Sequence, residues 1–190
     1  MKLHSTQLLF ALCFLLVACY PSRAQDHSED TEDSCRRFAQ GFYDWYVPQV
    51  FKVFKVGDRE APWHVALKYK GDSFSRELAR SLKASDAEAK AEGDPVLDFE
   101  PILNTQDPAE HYAVRTARVN HNRCLADVYG VWSRAVPNNG KAPNVVAELV
   151  FEKGRWVFVN FHYPDSGNLP SVDLLKVLGA HYKDPQKKTK

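Results

Sequence analysis

The chain has 190 residues, of which 44% are apolar and 26% are charged. These proportions are ordinary for one soluble globular domain, and they exclude a disordered chain, a collagen-like fibre and a polytopic membrane protein. Lysine plus arginine number 25 and aspartate plus glutamate number 24, so the formal net charge is +1. That balance gives no electrostatic footprint for nucleic acid.

Residues 1–24 are predicted to be a signal peptide. Lys2 supplies a positive start, and the apolar run Leu8–Ala18 is too short to span a bilayer. Two cleavage sites compete. Ser22-Arg23-Ala24 places small residues where an ordinary signal peptidase needs them, whereas Leu16-Val17-Ala18-Cys19 has the pattern of a bacterial lipobox, in which Cys19 would be lipidated. Either site predicts export, and the choice between them stays open.

The body of the chain is predicted to form one domain over residues 35–182, between a flexible lead-in at 25–34 and a basic flexible tail at 183–190. It contains the two cysteines Cys35 and Cys124, and an even pair in an exported protein favours a disulfide. Such a bond would add on the order of 4 kcal/mol of stability by loop entropy. Two buried free thiols are the alternative.

Helices are predicted in the first half of the domain. Aromatic residues recur at helical spacing over Cys35–Val47, and Pro48 is expected to end or kink this helix near Val47. Residues 50–69 look irregular, a second helix is expected over 73–91, and a loop follows over 98–107.

From residue 110 the spacing changes to that of β-strands. Turn signals separate four segments that are rich in β-branched and aromatic residues, which predicts an antiparallel meander of strands at 113–119, 125–132, 144–151 and 155–163. Alternation along the last strand places Trp156, Phe158, Asn160 and His162 on one face. A short helix over residues 172–182 completes the domain.

This order of elements predicts an α+β fold, with helices packed on a curved antiparallel sheet of about four strands. Such a sheet would wrap around the first helix and leave a cone-shaped pocket. Both faces of the last strand are largely apolar, so a second copy of the chain is expected to cover the open face.

Three segments together resemble a known family. They are Phe42–Tyr46 in the first helix, Leu97–Asp107 in the loop and Gly154–Val157 at the last hairpin. Their order is similar to that of domain-of-unknown-function family 3828, over about residues 35–180. The resemblance implies an exported bacterial protein, in some members a lipoprotein, with a nuclear-transport-factor-2-like, cystatin-related fold. It implies no activity and no catalytic residues.

Large side chains from the first helix and the sheet are expected to line the cone. The predicted pocket residues are Tyr43, Trp45, Tyr46, Asp127, Tyr129, Trp132, Trp156, Phe158 and His162. Plain core packing is the alternative, because aromatic residues at helical or strand spacing usually fill a core. A buried carboxylate beside a tyrosine would suit acid–base catalysis, and Asp127 is the carboxylate expected there.

Motifs for other chemistry are weak. The sequence contains no nucleophile elbow and no phosphate-binding loop. His121 and Cys124 lack a second pair of zinc ligands, so no metal, cofactor or catalytic residue is predicted. Three loop acids, Asp98, Glu100 and Asp107, would suit a cation by number, but their spacing favours turn and capping roles.

Arginines on or beside the strands have two interpretations. They form a basic stripe for an anionic partner, or they pair across strands with nearby acids. The arginines are Arg115, Arg118, Arg123 and Arg134, and the acids are Asp127, Glu148 and Glu152.

The sequence favours a non-catalytic exported protein that binds a small apolar ligand or an envelope protein. Membrane contact is expected only through a lipid anchor, and a homodimer is expected through the open sheet face. Two alternatives stay open. One is a small acid–base enzyme, of isomerase or hydratase type, that uses a Tyr/Asp pair in the cone; the other is an immunity or inhibitor protein that uses the loop over 98–107.

Overall fold

The computed structural model describes residues 31–56, 61–93, 97–133, 141–164 and 172–181. The predicted signal peptide, Cys19 and the basic tail lie outside the described residues. The described chain is an α+β fold, with four α-helices and a five-stranded antiparallel sheet that is not closed. None of the helices in the described ranges is long and apolar enough to cross a membrane.

Three helices precede the sheet and one follows it. They are α1 at Glu32–Val56, α2 at Pro62–Lys70, α3 at Arg76–Glu92 and α4 at Leu174–His181. Ser75 begins α3, because its side chain accepts a hydrogen bond from the backbone N–H of Leu78. Gly93 ends the same helix at a φ of 80°, which glycine adopts without strain.

The first helix is longer at both ends than the sequence predicts. It starts at Glu32, so part of the expected lead-in is helical, and it continues through Pro48 to Val56. Of the two outcomes predicted for Pro48, an end or a kink near Val47, the end is wrong. Val47 and Val50 are buried in the core on either side of the proline, and that packing offsets the cost of the lost backbone hydrogen bond.

Residues 50–69 were expected to be irregular, and this prediction is also wrong. They contain the end of α1 and most of α2. Pro62 occupies the first position of α2, where its missing N–H has no helical partner to lose. The proline that suggested a break therefore begins a helix.

The sheet confirms the predicted meander and adds one strand. Its strands, in spatial and sequence order, are β1 at His111–Asn120, β2 at Arg123–Val131, β3 at Val145–Glu152, β4 at Arg155–Tyr163 and β5 at Val172–Asp173. The core contains residues from all four helices and from one face of the sheet, which we call the inner face. We call the opposite face the outer face.

A bulge in β4 reverses the alternation of its side chains. Leu149 pairs with Phe158 and Ala147 pairs with Phe161, so two residues of β4 oppose one residue of β3 between these pairs. Phe158 and Phe161 therefore share the inner face, and His162 lies on the outer face. The prediction that Phe158 and His162 share a face is wrong for this reason.

The first helix is fixed to the inner face by a covalent bond and by ring packing. Cys35 in α1 and Cys124 in β2 form the predicted disulfide, with their Cα atoms 6.6 Å apart. Farther along α1, the ring centroids of Phe42 and Phe158 lie 4.8 Å apart. These contacts confirm that the late strands pack against the aromatic stripe of the first helix.

Candidate functional site

The nine residues predicted to line one pocket do not meet at one place. Four are buried in the core: Tyr43, Tyr46, Trp156 and Phe158. Two are partly buried against it: Trp45 and Trp132. Three belong to the outer face: Asp127, Tyr129 and His162. Strand alternation and the β4 bulge separate the last three from the others.

Aromatic rings fill the space between α1 and β4, where the cone was expected to be open. The ring of Phe42 contacts those of Tyr46, Phe74 and Phe158, with centroid separations of 5.4, 5.5 and 4.8 Å. Phe38 adds a further contact to Phe158 at 5.5 Å. Rings at these separations are in direct contact, so this part of the molecule is packed core.

Charged residues on the outer face pair across strands. Arg118 donates two hydrogen bonds to Asp127, at 2.5 and 2.8 Å. Arg123 forms an ion pair with Glu148, and the other oxygen of Glu148 lies 2.9 Å from Nε2 of His162. Cross-strand pairing is therefore the role of two of the four arginines in the predicted stripe.

The other two arginines differ in what the structure describes. Arg115 lies over the ring of Tyr129, with its guanidinium 4.3 Å from the ring centroid. Arg134 lies outside the described residues. The Tyr/Asp enzyme interpretation placed Asp127 beside a phenol inside the cone, but the bidentate pair with Arg118 holds this carboxylate on the outer face.

The most unusual buried group is Glu100, which the sequence assigned to a turn or cap. Its side chain accepts hydrogen bonds at Oε1 from the Tyr46 hydroxyl, at 2.6 Å, and from the Ile102 backbone N–H, at 3.1 Å. Oε2 is buried without a hydrogen-bond partner in the described part of the chain. Burial raises the pKa of Glu100 to about 7, although both hydrogen bonds act to lower it.

Two more tyrosines hold the loop around Glu100 against the core. The Tyr43 hydroxyl donates to the carbonyl of Ile102 at 3.2 Å, and the Tyr163 hydroxyl donates to the carbonyl of Pro101 at 3.0 Å. Burial raises the pKa of both phenols, so they remain neutral donors. We call this group, made of Glu100 with Tyr43, Tyr46 and Tyr163, the glutamate–tyrosine cluster.

The glutamate–tyrosine cluster determines how much of the loop over residues 98–107, which we call the acidic loop, is exposed to a partner. The middle of the loop, from Glu100 to Leu103, is buried, whereas Asp98 and Asp107 are exposed. An inhibitor that uses this loop would therefore present only its two ends. Glu100 itself is 4% exposed and shielded from solvent, so it has no direct access to an external substrate.

Two clefts flank α3, on either side of the stripe that Leu78 and Leu82 bury in the core. The cleft towards α4 has a volume of about 470 Å³ and is lined by Glu77, Arg80, Ser81, Ala84, Ser85, Glu88, Leu175, Leu178 and Gly179. The cleft towards α2 has a volume of about 370 Å³ and is lined by His64, Leu67, Lys68, Lys83, Asp86 and Lys90. The helical period of 3.6 residues sorts the two sets onto opposite flanks of one helix.

The α3–α4 cleft combines a largely apolar base with a charged rim. Leu178 and Ser85 are buried at its base, and Leu175 is partly buried beside them. Small side chains on α3, such as Ala84, leave the space open. Its volume lies in the range of small-molecule sites, which are mostly apolar with a few polar groups. Periodicity along the sequence does not predict this cleft, because the cleft depends on how α4 returns to pack on α3.

Comparison with known proteins adds no relative. No protein family, no curated protein and no solved structure matches the chain. The resemblance to domain-of-unknown-function family 3828 stays a prediction from the residues. Within the described ranges, no group of three or more histidine, cysteine, aspartate or glutamate side chains is placed to hold a metal ion.

Proposed function

We propose that this chain is an exported, non-catalytic binding protein of the bacterial envelope that holds a small, largely apolar ligand between α3 and α4. The observation that carries the proposal is the cleft of about 470 Å³ with an apolar base. Apolar surface removed from water there would supply most of the binding free energy, at roughly 25 cal/mol per Å².

Export is supported by two independent features. The leader over residues 1–24 has the charge and hydropathy pattern of a signal peptide. The Cys35–Cys124 disulfide suits an oxidising compartment, because cytosolic thiols are kept reduced.

The fold in this proposal is a nuclear-transport-factor-2-like cone. The open antiparallel sheet and the packing of α1 on its inner face support that assignment. The ligand site differs from the one that the sequence suggested, because aromatic rings occupy the space between α1 and β4. We therefore place the ligand in the α3–α4 cleft instead.

The rim of the cleft indicates the polar end of the ligand. Glu77 and Glu88 supply two carboxylates, and Arg80 supplies one guanidinium. The excess of negative charge favours a ligand whose apolar body ends in a cationic group over one that ends in an anionic group.

Two amphiphiles of equal chain length, decylamine and decanoate, test this proposal with the mature protein below their micellar concentrations. Isothermal titration calorimetry should detect saturable binding of decylamine, and weaker binding of decanoate. Ala84→Trp fills the cleft and should abolish binding. Ala87→Trp, on the exposed face of the same helix, is the matched control and should bind normally. Equal binding by the two variants, or no binding of decylamine to the native protein, would exclude this cleft as the site.

A further inference from the structure

The second cleft on α3 collects positive charge from two helices. His64, Leu67 and Lys68 line it from α2, and Lys83, Asp86 and Lys90 line it from α3. Leu67 and Lys68 follow His64 by three and four residues, and Lys83, Asp86 and Lys90 are spaced by three and four residues, so each set lies on one side of its helix. The cleft therefore brings three ammonium groups to one concavity, although no two of them are adjacent in sequence.

Asp86 is the only carboxylate among the described residues that line this cleft, and it is already neutralised. Asp86 places Oδ2 at 2.7 Å from Nζ of Lys90 and Oδ1 at 3.2 Å from Nε2 of His64. Both the aspartate and the histidine are partly buried, with side chains 25% and 21% exposed. The histidine ring also packs against Trp63, with ring centroids 3.8 Å apart. These contacts hold the middle of the cleft in one arrangement.

Two lysines remain without a counter-charge among the described residues. Lys68 and Lys83 contribute to opposite walls of the cleft. Neither forms an ion pair with a residue in the described ranges, and Nζ of Lys68 lies over the ring of Tyr69, 5.2 Å from its centroid. Three lysines against one aspartate leave a formal charge of +2 in the cleft, with His64 counted as neutral.

We propose that this α2–α3 cleft binds a phosphate group, as a free or an esterified anion. A phosphate monoester carries close to two negative charges at neutral pH, which matches the uncompensated charge of Lys68 and Lys83. Lysine binds phosphate as a point charge and needs no planar geometry. The site is separate from the proposed ligand site, because it lies on the opposite flank of α3.

Titrations of the mature protein with inorganic pyrophosphate at low ionic strength test the proposal. Backbone amide NMR shifts should saturate and should cluster at His64, Lys68 and Lys83. Lys83→Gln and Lys68→Gln should each weaken binding about tenfold, because each removes one ionic contact in a partly solvated cleft. Lys141→Gln, which removes an exposed lysine elsewhere, is the control and should leave the affinity unchanged.

A variant that should strengthen pyrophosphate binding, rather than weaken it, makes the test specific. Asp86→Asn removes a carboxylate from the cleft and frees Lys90, so it should tighten pyrophosphate binding severalfold. A merely structural role of Asp86 would produce the reverse. Absence of saturable shifts, equal weakening by Lys141→Gln, or weaker binding by Asp86→Asn would overturn the proposal.

Sedimentation with vesicles identifies the source of the phosphate. Binding to vesicles that contain phosphatidic acid, lost in Lys83→Gln and absent with phosphatidylcholine alone, assigns the cleft to a lipid headgroup. Binding of pyrophosphate without such sedimentation assigns it to a soluble phosphate. Failure with both probes would overturn the phosphate site. It would not affect the proposal for the α3–α4 cleft, which lies on the opposite flank of α3 and is tested separately with Ala84→Trp.

Discussion

The hydroxyl of Tyr46 lies 2.6 Å from Oε1 of Glu100, and both side chains are buried. The two residues are 54 positions apart in sequence, on α1 and on the acidic loop. The contact joins an acid whose pKa burial raises to about 7 to a phenol that burial keeps neutral. It places a titrating group in the core of the protein.

Stability should fall as the pH rises through the range in which Glu100 loses its proton. The folded pKa is about 7 and the ordinary value is 4.5, so between these values the folded chain keeps a proton that the unfolded chain releases. The free energy of unfolding should therefore decrease across this window, by about 3 kcal/mol in total, and change little above it on account of this group. Urea unfolding at a series of pH values measures the loss.

Glu100→Gln is the control for that series. It keeps an acceptor for Tyr46 and for the Ile102 N–H but cannot ionise. Its stability should vary less with pH than that of the native chain over the same window. Identical pH profiles for the two proteins would show that Glu100 does not titrate in the folded state as described.

Removing the hydroxyl of Tyr46 should destabilise the protein and raise the pKa of Glu100 further. Tyr46→Phe deletes a hydrogen bond to a buried carboxyl, which costs about 1–3 kcal/mol. Tyr43→Phe is the matched control, because Tyr43 is equally buried on α1 but donates to a backbone carbonyl. Both variants should lose stability in urea unfolding, but only Tyr46→Phe should shift the midpoint of the pH dependence upwards.

The disulfide should account for a large share of the folding free energy. Replacing Cys35 and Cys124 together by alanine should lower the free energy of unfolding by about 2–5 kcal/mol, because the bond spans 89 positions and constrains the unfolded chain. Urea denaturation of the oxidised, reduced and double-alanine forms measures the difference. Thiol titration of the mature protein under denaturant should find neither cysteine free, and two reactive thiols would contradict the bond.

Two glycines should respond oppositely to alanine. A Cβ on Gly130 would lie 2.8 Å from the ring of Trp132 and 3.1 Å from Cβ of Ala109, so Gly130→Ala should cost about 1–3 kcal/mol. Gly41 lies within α1 with nothing within 4 Å of an added Cβ. Gly41→Ala should therefore stabilise the protein by up to about 1 kcal/mol. Thermal unfolding of the two variants measures both effects. A Gly130→Ala variant as stable as the native protein would contradict the close packing.

Local signals were sufficient for the strands and for the disulfide. Turn residues separate the four long strands cleanly, and an even pair of cysteines in a chain that is predicted to be exported has few alternatives. The end of α1 was missed because burial of Val47 and Val50 outweighs the local effect of Pro48.

The sites were harder to predict than the fold because they depend on long-range contacts. The partner of Tyr46 is a loop residue, and the loop composition gave no sign that Glu100 turns inward while Asp98 stays exposed. The bulge in β4 shifted His162 away from Phe158, and alternation alone cannot detect an extra residue. Both clefts on α3 require the positions of α2 and α4, which periodicity within one helix does not provide.

Tyr43 and Tyr163 hold the acidic loop through its main-chain carbonyls at Ile102 and Pro101, and these acceptors are the same whatever side chains the loop carries. The position of the loop therefore does not depend on most of its side chains. The exposed side chain of Asp98, at one end of the loop, can therefore change or carry a grafted recognition group while the buried middle stays in register.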